Sequence, residues 1–275
     1  MWTLSGFADE VSPDLDQQCA LFAELGIGWV EFRSAWDRNV LDLDDGDLDR
    51  AAKTLEQHGL RTSSIGSPIG KIGIHEDFDA HLLRFDRALH VAEVLAAPYL
   101  RLFSFFLPAG EDPATHRDEV LRRMSALASR AEGRGVLLLH ENEKDIYGDS
   151  PQRCLDLVES VGSPVLRLAW DSANFVQCGF RPYTDGYSLL RPFLEYVQIK
   201  DAVLATGEVT PAGEGDGQLR ETIGALHDDG FDGFFSLEPH LVFGGTLGGF
   251  SGADLFRRAH AAFTGLLADA GISYR

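Results

Sequence analysis

The chain has 275 residues, 44% of them hydrophobic, enough for one large core and a length at which α/β barrels form a single unit. With 24 basic and 43 acidic residues its formal net charge is −19, which repels phosphate backbones and anionic membranes and so excludes nucleic acid and membrane surfaces as expected partners. Three scattered cysteines, Cys19, Cys154 and Cys178, suit neither a disulfide framework nor a zinc cluster.

In chain order, WTLSGF from residue 2 reads as a strand and DLDQQCALFAELG as a helix. WVEFR from 29 is followed by DLDRAAKTLEQHG, TSSIG from 62 by FDAHLLRFDRALHVAEVL, and YLRLFSF from 99 by HRDEVLRRMSALASRAEGRG. VLLLHE from 136 precedes SPQRCLDLVESVG, and LRLAWD from 166 precedes the stretch around YSLLRPFLE. YVQIK from 196 leads to LRETIGALHDDG, and GFFSLE from 233 to GADLFRRAHAAFTGLLADAG. Ser12-Pro13 and Ser150-Pro151 place proline at a first helical position, and Gly26, Gly59, Gly162, Gly230 and Gly271 follow helix ends. Eight strands alternating with eight helices, undivided by any linker, predict a (β/α)8 TIM barrel, a single domain over residues 1–275. An open doubly wound sheet is disfavoured because no G-x-G-x-x-G follows the first strand. The N-terminus has no basic stretch leading into an apolar one, and no apolar run approaches the roughly 20 residues of a membrane helix. A reduced cytoplasm is therefore the expected compartment, and oligomeric state, homo-oligomer included, is left open.

Side chains of a barrel strand alternate between the interior and the helix-facing side, and catalytic groups gather at the C-terminal mouth. Glu31 shares a face with Trp29 and Arg33, Arg101 comes late on the fourth strand, and Leu137, Leu139, Glu141 and Glu143 share one parity on the fifth. Asp171 ends the sixth strand, Gln198 sits late on the seventh, and Glu238 and His240 end the eighth. Four successive strands thus end in oxygen donors: Glu141, Asp171, Gln198 and Glu238. Bare carboxylates brought together repel and raise one another's pKa unless a cation binds between them. The economical reading is a divalent metal on three carboxylates and an amide oxygen, a hard set favouring Mn²⁺ or Mg²⁺ and suiting Zn²⁺ less. Gln198 has a structural alternative, a hydrogen-bonded polar residue in the barrel mouth.

HENE at 140–143, DSAN at 171–174, VQIKD at 197–201, GEGDG at 213–217 and SLEPH at 236–240 occur in an order that resembles the sugar phosphate isomerase/epimerase family. These are the xylose-isomerase-like barrels, which include ketose 3-epimerases, hydroxypyruvate isomerase and inosose dehydratase. GFADE at 6–10, GIGWVEFR at 26–33, the GSPIGKI loop and RLFSF at 101–105 extend the resemblance along nearly the whole chain.

The resemblance implies metal ligands Glu141, Asp171, Gln198 and Glu238, with Gln198 standing where the family usually presents an imidazole. It also implies that Glu141 and Glu238 are the catalytic pair. One removes the acidified α-proton of a bound ketose and the other returns a proton through an enediolate. The substrate-binding set is Asn174, His240, Arg101, Glu143 and Lys200. Of these, Asn174 matches a position where the family often contacts substrate, and Glu143 competes with Glu141 as ligand. Arg101, Glu31 and Lys200 are sugar contacts or interior salt-bridge partners, and His240 is a contact or a satisfied rim histidine. Lys71 meets an anionic group or stands solvated, and GEGDG lies in a loop suited to phosphate.

The expected function is a metal-dependent isomerase or epimerase acting on a small sugar or polyol ketone. The alternatives are a lyase of the inosose dehydratase type and a non-catalytic sugar-binding barrel. The endonuclease IV branch of the fold is disfavoured by the acidic charge and by histidines lying mostly on helices or loops.

Overall fold

In the computed structural model, which describes residues 1–245 and 248–275, all eight expected strands form. They are β1 (Thr3–Gly6), β2 (Trp29–Phe32), β3 (Arg61–Ile65) and β4 (Tyr99–Leu102), then β5 (Leu137–Glu141), β6 (Leu166–Asp171), β7 (Leu194–Ile199) and β8 (Phe234–Leu237). Parallel ladders run from β2 through β3, β4, β5, β6, β7 and β8 to β1. β1 and β2 lie side by side and close the ring without a ladder of their own among the described residues.

The outer layer comprises α1 (Leu15–Leu25), α2 (Asp45–Gln57), α3 (Phe78–Val94), α4 (Arg117–Ala131) and α5 (Pro151–Val161). It continues with α6 (Ser172–Gln177), α7 (Leu219–Asp228) and α8 (Ala253–Asp269). Their apolar faces, with residues such as Phe22, Phe85, Met124 and Phe263, pack on the outward side chains of the strands to form one continuous core. Among the described residues no helix is long and apolar enough to cross a membrane.

Two local expectations are corrected. Helix α1 does not open on Pro13. It starts at Leu15 behind Asp14, whose carboxylate accepts the Gln17 amide at 3.0 Å, a standard N-cap. Ser150-Pro151 does behave as expected, with Ser150 capping α5 and Pro151 in its first turn. The stretch around YSLLRPFLE is not one helix. Tyr183–Tyr187 forms a π turn, Ser188–Leu190 a single α turn and Arg191–Phe193 a 3-10 turn. Pro192 lacks the amide proton that a continuing helix needs, and Leu194 and Glu195 already belong to β7.

Candidate active site

The barrel interior grades from apolar to charged towards the C-terminal mouth. At the bottom, Trp29, Tyr99, Tyr196 and Phe234 stack edge and face on one another. Above them Ser63 Oγ lies 2.9 Å from the Tyr196 hydroxyl and 2.6 Å from Ser5 Oγ. One layer higher Glu31 accepts the Ser236 hydroxyl at 2.7 Å and the Gln198 amide at 3.4 Å. Burial raises the pKa of Glu31 to about 7, so its negative charge is held weakly at this depth.

At the mouth, β5 and β6 end in Glu141 and Asp171, and Glu238 follows β8 directly. One oxygen from each of these three buried carboxylates lies within 4.8 Å of the other two. The strand-end reading therefore brings Glu141, Asp171 and Glu238 together. Gln198 is in register with Asp171 on one side and Ser236 on the other, and its amide donates down to Glu31.

Cations from three other strands are packed against this group. Lys200 Nζ is 2.8 Å from Asp171 Oδ2 and 3.1 Å from Glu238 Oε2. Arg101 Nη1 is 3.0 Å from Glu141 Oε2 and 3.6 Å from Glu238 Oε1. Arg33 bridges Asp9 at 2.8 Å and Glu238 at 3.3 Å, and both guanidinium groups lie over the Phe7 ring. The mutual repulsion expected of bare carboxylates is thus partly offset by the protein itself.

The three carboxyls do not share one fate. Burial raises the pKa of Glu141, and Arg101 only partly opposes it. Burial likewise raises Asp171 despite Lys200 beside it. Burial pushes on Glu238 as well, but there Lys200, Arg101 and Arg33 together outweigh it and hold the carboxyl below the usual range. One strongly ionised carboxylate beside two that hold a proton more readily is the asymmetry an acid–base pair requires.

Asn174 stands two residues into α6 and donates to Glu141 Oε1 at 3.0 Å and to the Asn142 carbonyl at 2.9 Å. Both amide protons are engaged, so in this structure Asn174 orients Glu141. Asp171 caps the same helix, accepting the Asn174 amide at 2.9 Å with Oδ1 and leaving Oδ2 to the mouth. His240 has a left-handed backbone (φ 47°) and sits beside Glu238, 3.4 Å from Oε1. Its ring accepts the Gly249 amide at 3.0 Å, and a Cβ at Gly249 would lie 1.5 Å from that ring.

Glu143 is not one of the three clustered carboxylates. The chain leaves the strand at Glu141, and Glu143 pairs with Lys71 at 3.2 Å on the rim. That contact also occupies the lysine considered for an anionic substrate. The GEGDG loop is likewise taken: Gly213, Gly215 and Gly217 amides donate to the Asp201 carboxylate at 2.9, 3.1 and 2.8 Å. Asp201 fastens this loop, and those amides do not point at an external phosphate.

Three buried oxygens of this layer, Glu141 Oε2, Asp171 Oδ2 and Gln198 Oε1, have no hydrogen-bond partner. The first two meet Arg101 and Lys200 without hydrogen-bond alignment. Unsatisfied buried acceptors are costly, and a hard divalent cation is the species that such an oxygen set accommodates. The residues therefore fit a metal.

Arg33, Asp9 and Glu10 belong to the site; the sequence placed Arg33 on the Glu31 face and Asp9 and Glu10 in GFADE, without a role for any of them. Glu10 accepts the His240 amide at 2.9 Å and the Ser251 hydroxyl at 2.7 Å, which ties the first loop to the segment after β8. GFADE carries two acidic residues directly after β1, and that position was the available signal.

The family model described as xylose isomerase-like TIM barrel matches residues 19–245. A 2-epi-5-epi-valiolone 7-phosphate 2-epimerase from Actinoplanes sp. is 37% identical over 98 residues, 36% of this chain and 34% of the relative. The chain thus matches about a third of that relative's length. A D-tagatose 3-epimerase-like protein superposes with a TM-score of 0.79 at 14% identity, over 98% of each chain. A xylose isomerase-like TIM barrel protein from Mycobacterium smegmatis in complex with magnesium gives 0.71 at 20% identity, over 98% of this chain and 97% of that one.

Proposed function

We propose, from the premise that this chain belongs to the xylose isomerase-like TIM barrel family, that it is a divalent-metal-dependent epimerase or isomerase of a small sugar or polyol ketone. The observation that carries this reading is the convergence of Glu141, Asp171 and Glu238 within 4.8 Å, all buried. The aligned relative, named as an epimerase of a phosphorylated cyclitol ketone, supports a carbonyl compound rich in hydroxyls as substrate.

Glu141, Asp171, Gln198 and Glu238 are the residues assigned to hold the ion, with Mn²⁺ or Mg²⁺ favoured by the all-oxygen set. When bound, the ion polarises the substrate carbonyl and lowers the energy of the enediolate. The chain's own groups then move the proton. Glu238, kept ionised by the surrounding cations, is assigned as the base that takes the proton from the carbon beside the carbonyl. Glu141 is assigned as the second proton-transfer group, which returns a proton to that carbon. Asn174 fixes Glu141 through Oε1, and Arg101 and Lys200 provide positive charge facing the developing enediolate oxygens.

The test is a panel of ketoses, inososes and their phosphates, offered with Mn²⁺ or Mg²⁺ and followed by NMR. Epimer or aldose–ketose interconversion is expected from the wild type. Glu141→Gln and Glu238→Gln are each expected to lose about 10²–10⁴-fold in rate, the typical worth of a positioned acid or base. Loss of water as the sole reaction would assign the chain to the dehydratase chemistry, and full activity in both variants would remove the two glutamates from the mechanism.

A further inference from the structure

We propose that His75, Glu111 and His116 form a second metal site, distinct from the mouth carboxylates, that takes a divalent cation of the Zn²⁺ class. His75 lies on the loop between β3 and α3, and Glu111 and His116 lie on the loop between β4 and α4. One ligand atom from each residue falls within 4.8 Å of the other two. The two imidazoles stand edge to face with ring centroids 5.4 Å apart, and His116 Nε2 is 2.8 Å from Glu111 Oε2.

Backbone hydrogen bonds hold the group in place. Ile74 donates to the Phe106 carbonyl and Phe106 donates to the Ile72 carbonyl, both at 2.9 Å, so the two loops run as a short ladder just before His75. The buried Arg123 guanidinium then fixes the flanking carbonyls of Ile74 at 2.7 Å and Glu76 at 3.1 Å. On the other loop Asp112 caps the 3-10 turn Pro113–His116. His116 is buried while His75 and Glu111 are exposed, so one ligand is anchored and the other two can turn onto an ion, which would replace the Glu111–His116 contact. Tetrahedral zinc with metal–ligand bonds of about 2.0–2.2 Å places its ligand atoms roughly 3.3–3.5 Å apart. Rotation of the two exposed side chains covers the remaining gap.

Ligand chemistry separates this site from the one in the barrel mouth. Two imidazole nitrogens and one carboxylate make a borderline set that prefers Zn²⁺, Cu²⁺ or Ni²⁺ over Mg²⁺ or Ca²⁺, whereas the proposed mouth ligands are all oxygen. The exposed side leaves room for water as a fourth ligand. An ion here would staple the β3–α3 loop to the β4–α4 loop, and those loops carry Lys71 and Phe103, which stack at 4.2 Å.

The test uses metal-stripped wild type, His75→Ala and Glu111→Ala, two variants at exposed positions, with Zn²⁺ binding measured by equilibrium dialysis and Cu²⁺ by EPR. Wild type is expected to bind one Zn²⁺ more than either variant. Its Cu²⁺ spectrum is expected to show splitting from two nitrogens, reduced to one in His75→Ala. His116→Ala should weaken this site by at least the roughly 10–100-fold that loss of even an outer-shell partner costs a metal centre. Because each result is a difference from wild type, it stands whether or not the mouth takes a metal. Equal Zn²⁺ counts in all three proteins, or a copper spectrum unchanged by His75→Ala, would overturn the assignment.

Discussion

The ammonium of Lys200 stands 2.8 Å from Asp171 Oδ2, with both side chains buried. A fixed cation therefore touches an oxygen assigned to the metal, so Lys200 and an ion act on the same negative charge. Replacing Lys200 with Met should leave buried carboxylates uncompensated and cost about 3–5 kcal/mol, the usual penalty for removing one partner of a buried pair. Added Mn²⁺ should recover a larger share of melting temperature in Lys200→Met than in the wild type. Differential scanning calorimetry with EDTA and with Mn²⁺ checks this, and equal metal-induced shifts would dissociate Lys200 from the site.

Asn174 donates to Glu141 at 3.0 Å and to the Asn142 carbonyl at 2.9 Å. Asn174→Ala should reduce kcat by roughly 10–100-fold, as loss of an orienting partner does at comparable sites, while KM changes little. A rise in KM with kcat preserved would instead restore Asn174 to the substrate contacts that its sequence position suggested.

Much of the site was legible from the strand ends. Once β5 to β8 were recognised, their C-terminal ends pointed to Glu141, Asp171 and Glu238, whose carboxylates the structure brings within 4.8 Å. Glu143 is not among the clustered carboxylates, because the chain stops being a strand after Glu141. Arg33 and Glu10 were left without a role at the mouth for a different reason. Their contacts with Glu238 and Ser251 span 205 and 241 residues, and no local pattern encodes approaches of that range. The helix expected around YSLLRPFLE failed on Pro192, whose effect on a short apolar run is read from backbone chemistry and not from hydrophobic spacing.

Asp201 accepts amides from Ala202, Gly213, Gly215 and Gly217. Asp201→Ala should leave several amides unpaired, at about 1–3 kcal/mol for each buried group left unsatisfied. Gly215→Ala should also destabilise, since its Cβ would lie 2.5 Å from Asp201 Oδ1 and 2.6 Å from the Ala202 carbonyl. Denaturant unfolding and limited proteolysis of the 213–217 loop measure both effects. A wild-type midpoint in Asp201→Ala would mean that Asp201 does not fasten the loop.

Burial raises the pKa of Glu10 from 4.5 to about 8. The folded protein therefore binds this proton more tightly than the unfolded chain does. The resulting stability is fully present below about pH 4.5 and is lost as pH rises through about 8. Glu10→Gln keeps an acceptor for His240 and Ser251 without titrating, so its melting temperature should fall less than that of the wild type between pH 5 and pH 8. Other groups, such as His140, whose pKa burial depresses to about 3, are common to both proteins and cancel in the comparison. Parallel melting curves would mean that Glu10 is not proton-bound at neutral pH.

Proton exchange at the carbon beside the substrate carbonyl tests most directly whether Glu238 acts as the base. A substrate identified from the ketose and inosose panel is incubated in D₂O with Mn²⁺ and the enzyme, and followed by ¹H NMR. The signal of that carbon's proton is expected to disappear with wild-type protein, and Glu238→Gln to slow the loss about 10²–10⁴-fold. Turnover without any deuterium entering the product, or exchange at the wild-type rate in Glu238→Gln, would contradict it.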